Sequence, residues 1–326
     1  MRPFAYQRAA DVEDAVRSAV GSPDAMFLAG GTNLVDLMKL GVARPDRLID
    51  VSRLQLSGIE ELDGGGLRAG ATVRNTDLAA DRLVRERYPV LAQAVLAGAS
   101  GQIRNLATVG GNLLQRTRCS YFQDTSKPCN KRSPGSGCPA REGEHRNLAI
   151  LGHSEACVAT HPSDMAVALA ALEGNVDLSA ANGSRRLPIG ELYRLPGENP
   201  ERDTALEQGE LITAIELDHP MRDAVQAYRK VRERASFAFA LVSVAAIVRF
   251  EEGVVKDARL ALGGVAHGPW RALAAEELLQ DQPATKENFT RAAEAELAEA
   301  LPLRDNGYKV PLARNLIVRT LLELRG

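Results

Sequence analysis

All four cysteines of this 326-residue chain fall between residues 119 and 157, in a polar segment rich in glycine and proline. Cysteines without a common role would be scattered along the whole chain. Pro128, Pro134 and Pro139 interrupt helices and central strands, so the segment is predicted to be an irregular loop. Four thiols gathered in one loop can hold a metal ion, an iron–sulfur cluster or two disulfides, and each occupant implies a different protein.

The spacing of the cysteines favours some of these occupants over others. Zinc knuckles and ribbons use pairs of ligands separated by about two to four residues, and no cysteine here has a partner that close. A CxxC motif is also absent, which excludes thioredoxin-like redox chemistry. Four thiolates suffice for a [4Fe–4S] cluster, one for each iron. Structural zinc, two disulfides and buried unliganded thiols remain alternatives, the last of them disfavoured by the polarity of the loop.

The composition narrows the classes of partner. A formal net charge of −2 supplies no electrostatic attraction for nucleic acid or an anionic membrane, so we expect neither as a partner. No apolar run approaches the roughly 20 residues that cross a bilayer, so no membrane insertion is expected. Residues 1–16 lack the apolar core of a signal peptide, and we expect no export signal within them.

Hydrophobic periodicity predicts a mixed α+β chain with a domain boundary near residue 224. Asp11 is the expected N-cap of the first helix. Residues 102–115 are predicted to form strand and turn. The other predicted helices and strands follow the same patterns: helices at 11–20, 34–41, 88–100, 164–172, 271–280, 285–300 and 310–324, and strands at 26–30, 47–54, 67–79, 240–250 and 254–265.

Two turns of similar composition each contain a double glycine. Gly30-Gly31 follows an apolar strand and precedes a helix, and Gly110-Gly111 lies between a threonine and an asparagine. Free backbone N–H groups at such turns can bind phosphate, and glycine permits its close approach. Neither turn matches a P-loop or a GxGxxG fingerprint. An ordinary turn is the alternative; if the two turns meet, they can hold one pyrophosphate from both sides.

Five motifs, in order along the chain, resemble the FAD-binding subunits of molybdenum hydroxylases. This family includes the flavin domain of xanthine dehydrogenase and the medium subunit of carbon monoxide dehydrogenase. The resemblance covers essentially the whole chain. The motifs are MFLAGGTNLVDLMK (26–39), GQIRNLATVGGNLL (101–114), HPSDMAVALAAL (161–172), TALEQGELI (204–212) and YRKVRERASFAFALVSVAA (228–246).

The resemblance implies the fold. An α+β, PCMH-type FAD-binding domain, similar to that of vanillyl-alcohol oxidase, would span residues 1–223. Its two subdomains would span 1–58 and 59–223. A small C-terminal domain of the carbon monoxide dehydrogenase flavoprotein type, with a three-stranded sheet and helices, would span 224–326.

FAD is the cofactor that the resemblance implies. Thr108, Gly111 and Asn112 would complete the cradle for its pyrophosphate, and Asp164 would bond the ribityl chain or nearby polar groups. Ile212 and Lys230 would lie beside the isoalloxazine ring; the alternatives are a core residue and a solvated charge. The pyrophosphate itself would be surrounded by Met26, Phe27, Leu28, Ala29, Gly30, Gly31, Thr32, Asn33 and Leu34.

The cysteines lie in a segment, residues 114–159, that interrupts this family pattern. A subset of the family, the flavin subunits of periplasmic aldehyde oxidoreductases and, more distantly, of 4-hydroxybenzoyl-CoA reductase, carries a [4Fe–4S] cluster in such an insertion. The resemblance therefore implies a cluster beside the FAD. Its ligands would be Cys119, Cys129, Cys138 and Cys157, with nearby Arg116, Arg118, Lys127, Lys131 and Arg132 offsetting its negative charge.

The function implied is that of an electron-transfer subunit in a molybdenum-dependent aldehyde oxidoreductase. A molybdenum cofactor-binding large subunit and a [2Fe–2S] small subunit would complete a heterotrimer, and FAD would pass electrons to an external acceptor. No side chain here is expected to act as a general acid or base. Export with a partner that carries a twin-arginine signal would make the complex periplasmic; otherwise it would be cytoplasmic. The alternatives are a stand-alone FAD oxidoreductase with a structural cysteine loop, and an interaction module with a decayed flavin site.

Overall fold

The structure, a computed structural model, describes residues 1–326. Its N-terminal unit is a three-stranded parallel sheet with strand order β1-β3-β2. Asp11 caps the first helix as predicted, because its carboxylate accepts a hydrogen bond of 2.7 Å from the Asp14 N–H. The elements of this unit are β1 (Ala5–Arg8), α1 (Val12–Val20), β2 (Ala25–Leu28), α2 (Leu34–Lys39) and β3 (Arg47–Asp50).

A five-stranded antiparallel sheet follows, with strand order β4-β5-β8-β6-β7. Its strands are β4 (Ile59–Glu61), β5 (Leu67–Gly70), β6 (Asn175–Ala180), β7 (Gly183–Pro188) and β8 (Leu211–Leu217). The helices between them are α3 (Asn75–Ala80), α4 (Arg82–Arg87), α5 (Pro89–Ala97), α6 (Gly101–Arg104), α7 (Val109–Leu113), α8 (Ser120–Gln123), α9 (Asp164–Ala171) and α10 (Ile189–Leu192).

The C-terminal unit is an antiparallel sheet with strand order β12-β11-β10-β9, covered by three helices. The three strands predicted for this sheet are its three long strands, and a further strand of two residues extends the sheet at its edge. The elements are β9 (Ala224–Val231), β10 (Val242–Glu251), β11 (Val254–Gly263), β12 (Trp270–Arg271), α11 (Leu273–Leu279), α12 (Lys286–Glu296) and α13 (Lys309–Arg325).

Helix α9 joins the two larger units. All of its residues are buried, and it packs against α5 and against β10 and β11 of the C-terminal sheet. A helix that is apolar on every side must be surrounded by protein, so its sequence alone indicates a central position. Because α9 directly follows the cysteine segment, the end of that segment is held between both units.

Two sequence-based predictions of strand are wrong. Residues 102–115 form the short helices α6 and α7, because Ser100 and Thr108 accept N-cap hydrogen bonds from Ile103 and Gly111, at 3.3 and 3.2 Å. The strand predicted for 67–79 ends at Gly70, and its second half contains α3. Apolar runs this short do not distinguish strand from helix by periodicity.

The cysteine segment is irregular, as predicted. Between α7 and α9 the only regular elements are α8 and one 3₁₀ turn at Pro139–Arg141. None of the helices combines the length and the hydropathy that crossing a membrane requires.

Candidate cofactor site

A cavity of about 740 Å³ opens at the carboxyl end of β2. Its volume lies within the usual range of small-molecule sites. Both double-glycine turns contribute to its wall, together with a stretch of the loop before β8. The turns that are far apart in the sequence thus border one space.

Gly30 brings the two turns into direct contact. A Cβ atom at this position would lie 2.0 Å from the Leu106 carbonyl oxygen, on the segment that leads to Thr108. Gly31 has φ of +72°, a conformation that favours glycine. Only a residue without a side chain at position 30 permits this approach.

The first turn offers free hydrogen-bond donors to the cavity. The backbone N–H groups of Gly30, Gly31 and Thr32 donate to no other protein group. The second turn differs, because the N–H groups of Gly110 and Gly111 already donate to the Ala71 carbonyl and the Thr108 hydroxyl. The first turn therefore fits an anionic diphosphate by its donors, whereas the second contributes mainly shape.

Thr72 adds a polar atom to the wall that the sequence did not reveal. The residue is buried, its hydroxyl has no hydrogen-bond partner, and it lines the cavity. A buried hydroxyl without a hydrogen-bond partner destabilises a protein. A polar ligand in the cavity would supply the missing partner. No sequence motif marks this threonine, because its position at the cavity wall depends on the fold.

The residues predicted to bind FAD fall into two groups. Leu28 and Asn112 do not line the cavity; the Asn112 side-chain oxygen accepts a hydrogen bond of 2.7 Å from Ser163. Asp164 and Lys230 also lie outside its wall. The predicted residues that do line it are Met26, Phe27, Ala29, Gly30, Gly31, Thr32, Asn33, Leu34, Thr108, Gly111 and Ile212.

Asp164 and Lys230 form a buried ion pair. The Lys230 ammonium lies 2.8 Å from one carboxylate oxygen of Asp164, and the Tyr228 hydroxyl donates to the other at 2.5 Å. Burial and then the Asp164 charge raise the pKa of Tyr228 well above its usual value. The alternative of a solvated charge at Lys230 is wrong, since its side chain is only 3% exposed.

All four cysteines line a second, apolar cavity. Cys119, Cys129 and Cys157 are buried, Cys138 is half-buried, and none is disulfide-bonded. The space between them, about 10 Å³, is about that of one water, so a cluster would require the side chains to move outward. No three His, Cys, Asp or Glu side chains are close enough to hold a single metal ion.

Burial and one hydrogen bond shift the pKa values of three of these thiols. Burial raises the pKa of Cys119 to about 11. The Cys157 thiol donates a hydrogen bond to Cys138, which lowers the pKa of Cys138 and raises that of Cys157. The donor set, four sulfurs in an apolar pocket without a carboxylate, is the one that iron–sulfur clusters take. Because each thiolate binds a different iron, this set does not need the close convergence of a single-ion site.

A polar network lies between the two cavities. Asp203, which lines the large cavity, accepts from the Arg116 guanidinium at 2.6 Å and from the ammonium of Lys131, which lines the cysteine pocket. Burial raises the pKa of Asp203, but the two cations outweigh burial and hold it at about 2. Leu37 also lines the large cavity and packs against the cysteines. The two sites are therefore neighbours.

Comparisons with known proteins match the whole chain. A model of the FAD-binding domain in molybdopterin dehydrogenase matches residues 2–220, and one of the CO dehydrogenase flavoprotein C-terminal domain matches residues 226–324. The aldehyde oxidoreductase FAD-binding subunit PaoB of Escherichia coli K12 is 51% identical over 328 residues, covering 100% of this chain and 99% of that one.

Two solved structures share the fold. The CO dehydrogenase of Hydrogenophaga pseudoflava that lacks the Mo-pyranopterin moiety is 28% identical, with a TM-score of 0.78, covering 99% of this chain and 98% of that one. The reconstituted CO dehydrogenase of Oligotropha carboxidovorans is 24% identical, with a TM-score of 0.79 and the same coverage. The α+β fold class expected from the sequence is confirmed.

Proposed function

The chain belongs to the family of FAD-binding subunits of molybdopterin dehydrogenases, and from that premise we propose that it is the flavin and iron–sulfur subunit of an aldehyde oxidoreductase complex. FAD binding and membership of an oxidoreductase complex follow from the family. The substrate class, the cluster and the electron-transfer role are proposals. The observation that carries them is the position of a four-cysteine pocket directly beside a cavity with free backbone donors.

FAD is proposed to occupy the large cavity. The free N–H groups of Gly30, Gly31 and Thr32 would hold its diphosphate, and Thr72 would donate to an acceptor on the same ligand. Bound FAD supplies two-electron storage. The chain's own contribution is to bind and orient it.

A [4Fe–4S] cluster is proposed for the cysteine pocket. Four sulfurs from one loop line it, apolar side chains limit the entry of water, and the buried cation of Lys131 lies at its wall. Zinc is less well supported, since no three ligands approach a common point. The direct contact between Cys138 and Cys157 favours one alternative, a disulfide-stabilised loop in a stand-alone FAD oxidoreductase.

The partners are proposed by analogy with the relatives. The relative that is 51% identical is named as the FAD-binding subunit of an aldehyde oxidoreductase, and two others are named as medium chains of dehydrogenases. A molybdenum-binding large subunit and a [2Fe–2S] small subunit would supply the aldehyde site and deliver electrons to this chain. An external acceptor would then receive them.

Metal and flavin analysis of the anaerobically purified full chain tests the proposal. We expect bound FAD and about four irons for the four thiolates. The Cys138→Ser variant is expected to lose iron and keep FAD, whereas Ser126→Ala, in the exposed part of the same loop, is expected to keep both. FAD with disulfides and no iron would support the stand-alone alternative, and zinc without iron would contradict the cluster.

A further inference from the structure

Lys131 is a buried cation at the wall of the cysteine pocket. Its side chain is 1% exposed, and the residue follows Cys129 by two positions. The ammonium makes three hydrogen bonds: to the Pro200 carbonyl at 2.7 Å, to the Asp203 carboxylate, and to Nε2 of His267 at 2.6 Å. Every N–H of the ammonium therefore has an acceptor, which is how a buried cation is retained.

The neighbours of Lys131 present only hydrogen-bond acceptors to its ammonium. Nδ1 of His267 donates to the Ala159 carbonyl at 3.0 Å, so Nε2 is free to accept from the ammonium. Asp203 is the only carboxylate in contact with the ammonium, and Arg116 shares it. Taken together, Lys131, Arg116 and Asp203 are two cations and one carboxylate and carry a net positive charge.

The other basic residues of the loop do not place a buried charge at the pocket wall. Lys127 is exposed. Arg132 donates hydrogen bonds to the carbonyls of Tyr121 and Phe122 and so stabilises the backbone of the loop. Lys131 alone among the five basic residues noted in this segment lines the cysteine cavity.

We propose that Lys131 sets the reduction potential of the group held by the four cysteines, and that Asp203 limits its effect. The inference rests on the proposed cluster. One-electron reduction adds one negative charge to a thiolate-ligated cluster, and no proton needs to move. A buried cation stabilises the reduced form more than the oxidised form, and solvent screens it little. Removing the cation should lower the potential, and removing its counter-charge should raise it.

Potentiometric titration with dithionite, followed by electron paramagnetic resonance of the full chain, measures this effect. For Lys131→Met we expect at least a tenfold fall in the reduced-to-oxidised ratio at a fixed potential, or about 59 mV for a one-electron couple. For Asp203→Asn, which keeps the shape and an acceptor, we expect a shift in the opposite direction. Lys127→Met, a charge removed at the exposed part of the loop, is the matched control and should leave the potential unchanged.

The outcomes separate this inference from the proposed function. A parent chain without iron would overturn both. If Lys131→Met and Asp203→Asn bind iron and keep the reduction potential of the parent chain, only the inference is overturned and the proposed function stands. Shifts of the same sign in both variants would indicate a general structural disturbance and also overturn it. If Lys131→Met does not fold, Asp203→Asn still tests the inference. A rise in its reduction potential supports the inference, and a fall or no change overturns it.

Discussion

Gly30 is the residue on which the contact between the two cofactor-binding turns depends. A Cβ at this position would meet the Leu106 carbonyl oxygen at 2.0 Å, and backbone cannot yield as a side chain can. We expect Gly30→Ala to separate the turns and to reduce the FAD content of the purified chain by at least tenfold. Gly101→Ala is the matched control, because a Cβ there meets nothing within 4 Å. Equal flavin content in both variants would contradict the role of the contact.

Thr72 provides a second test of the cavity, at a polar atom of its wall. Its buried hydroxyl lacks a partner in the protein, so a bound FAD is expected to supply one. Thr72→Val keeps the shape and removes the hydroxyl, and a hydrogen bond to a charged group contributes about 1.5–3 kcal/mol. We expect the FAD dissociation constant, measured by flavin fluorescence, to rise at least tenfold. Thr290→Val on α12, far from the cavity, should not change it.

At the scale of elements, the C-terminal unit clamps the cysteine segment. The Lys309 ammonium donates to the carbonyls of Asn147, Leu148 and Gly264 at 2.7–2.9 Å. The side chain of Asn306 donates to the Ala149 carbonyl at 3.0 Å and accepts from the Leu303 N–H at 2.7 Å. Both residues are fully buried. The loop therefore depends on contacts far away in the sequence.

Asn306→Ala should weaken this clamp. Truncation leaves the buried Ala149 carbonyl and the partly buried Leu303 N–H without partners, and an unpaired buried group costs about 1–3 kcal/mol. We expect the free energy of unfolding, measured by urea denaturation, to fall by about 2 kcal/mol and the cysteine segment to become sensitive to protease. Asn315→Ala, on the exposed side of α13, is the control. An unchanged free energy in Asn306→Ala would contradict the clamp.

The elements that the sequence predicted well are those with long, regular patterns. Helix α9 is apolar on every side, and β10 and β11 are long enough for their burial to show in the sequence. The short helices α6 and α7 were predicted as strand, because their formation depends on N-cap hydrogen bonds from Ser100 and Thr108 rather than on periodicity. Strand β12 has two residues and no pattern to detect.

At the scale of the whole molecule, some parts of the candidate site have a sequence pattern and others depend on contacts that only the fold creates. The glycine turns and the cysteine loop were identifiable in the sequence as candidate sites, because phosphate-binding and cluster-binding motifs are short, and their ligands stay predictions. Thr72 and the network of Arg116, Asp203 and Lys131 were not, because only the folded chain brings residue 203 to residue 131. Ser, Thr and single charges are too common in sequences to indicate such a role by themselves.

The whole molecule is also expected to lose stability in acid through His267. Burial and then the Lys131 charge lower the pKa of this imidazole to about 3. The unfolded chain binds the proton near the ordinary value of about 6.5, so the free energy of unfolding falls as the pH drops below that value. From pH 7 to 5 the contribution is about 2 kcal/mol. Urea denaturation at both pH values should show a smaller difference in His267→Gln than in the parent or in His219→Gln, whose imidazole is exposed; equal differences in all three would contradict it.

The central claim is that one chain holds FAD and a [4Fe–4S] cluster in neighbouring sites. Anomalous scattering at the iron absorption edge, measured on a crystal of the anaerobically purified chain, tests this most directly. We expect an iron peak between the sulfurs of the four cysteines, and flavin density in the cavity bordered by Gly30 and Thr72. Disulfide density between the cysteines, or a signal at the zinc edge alone, would contradict the account.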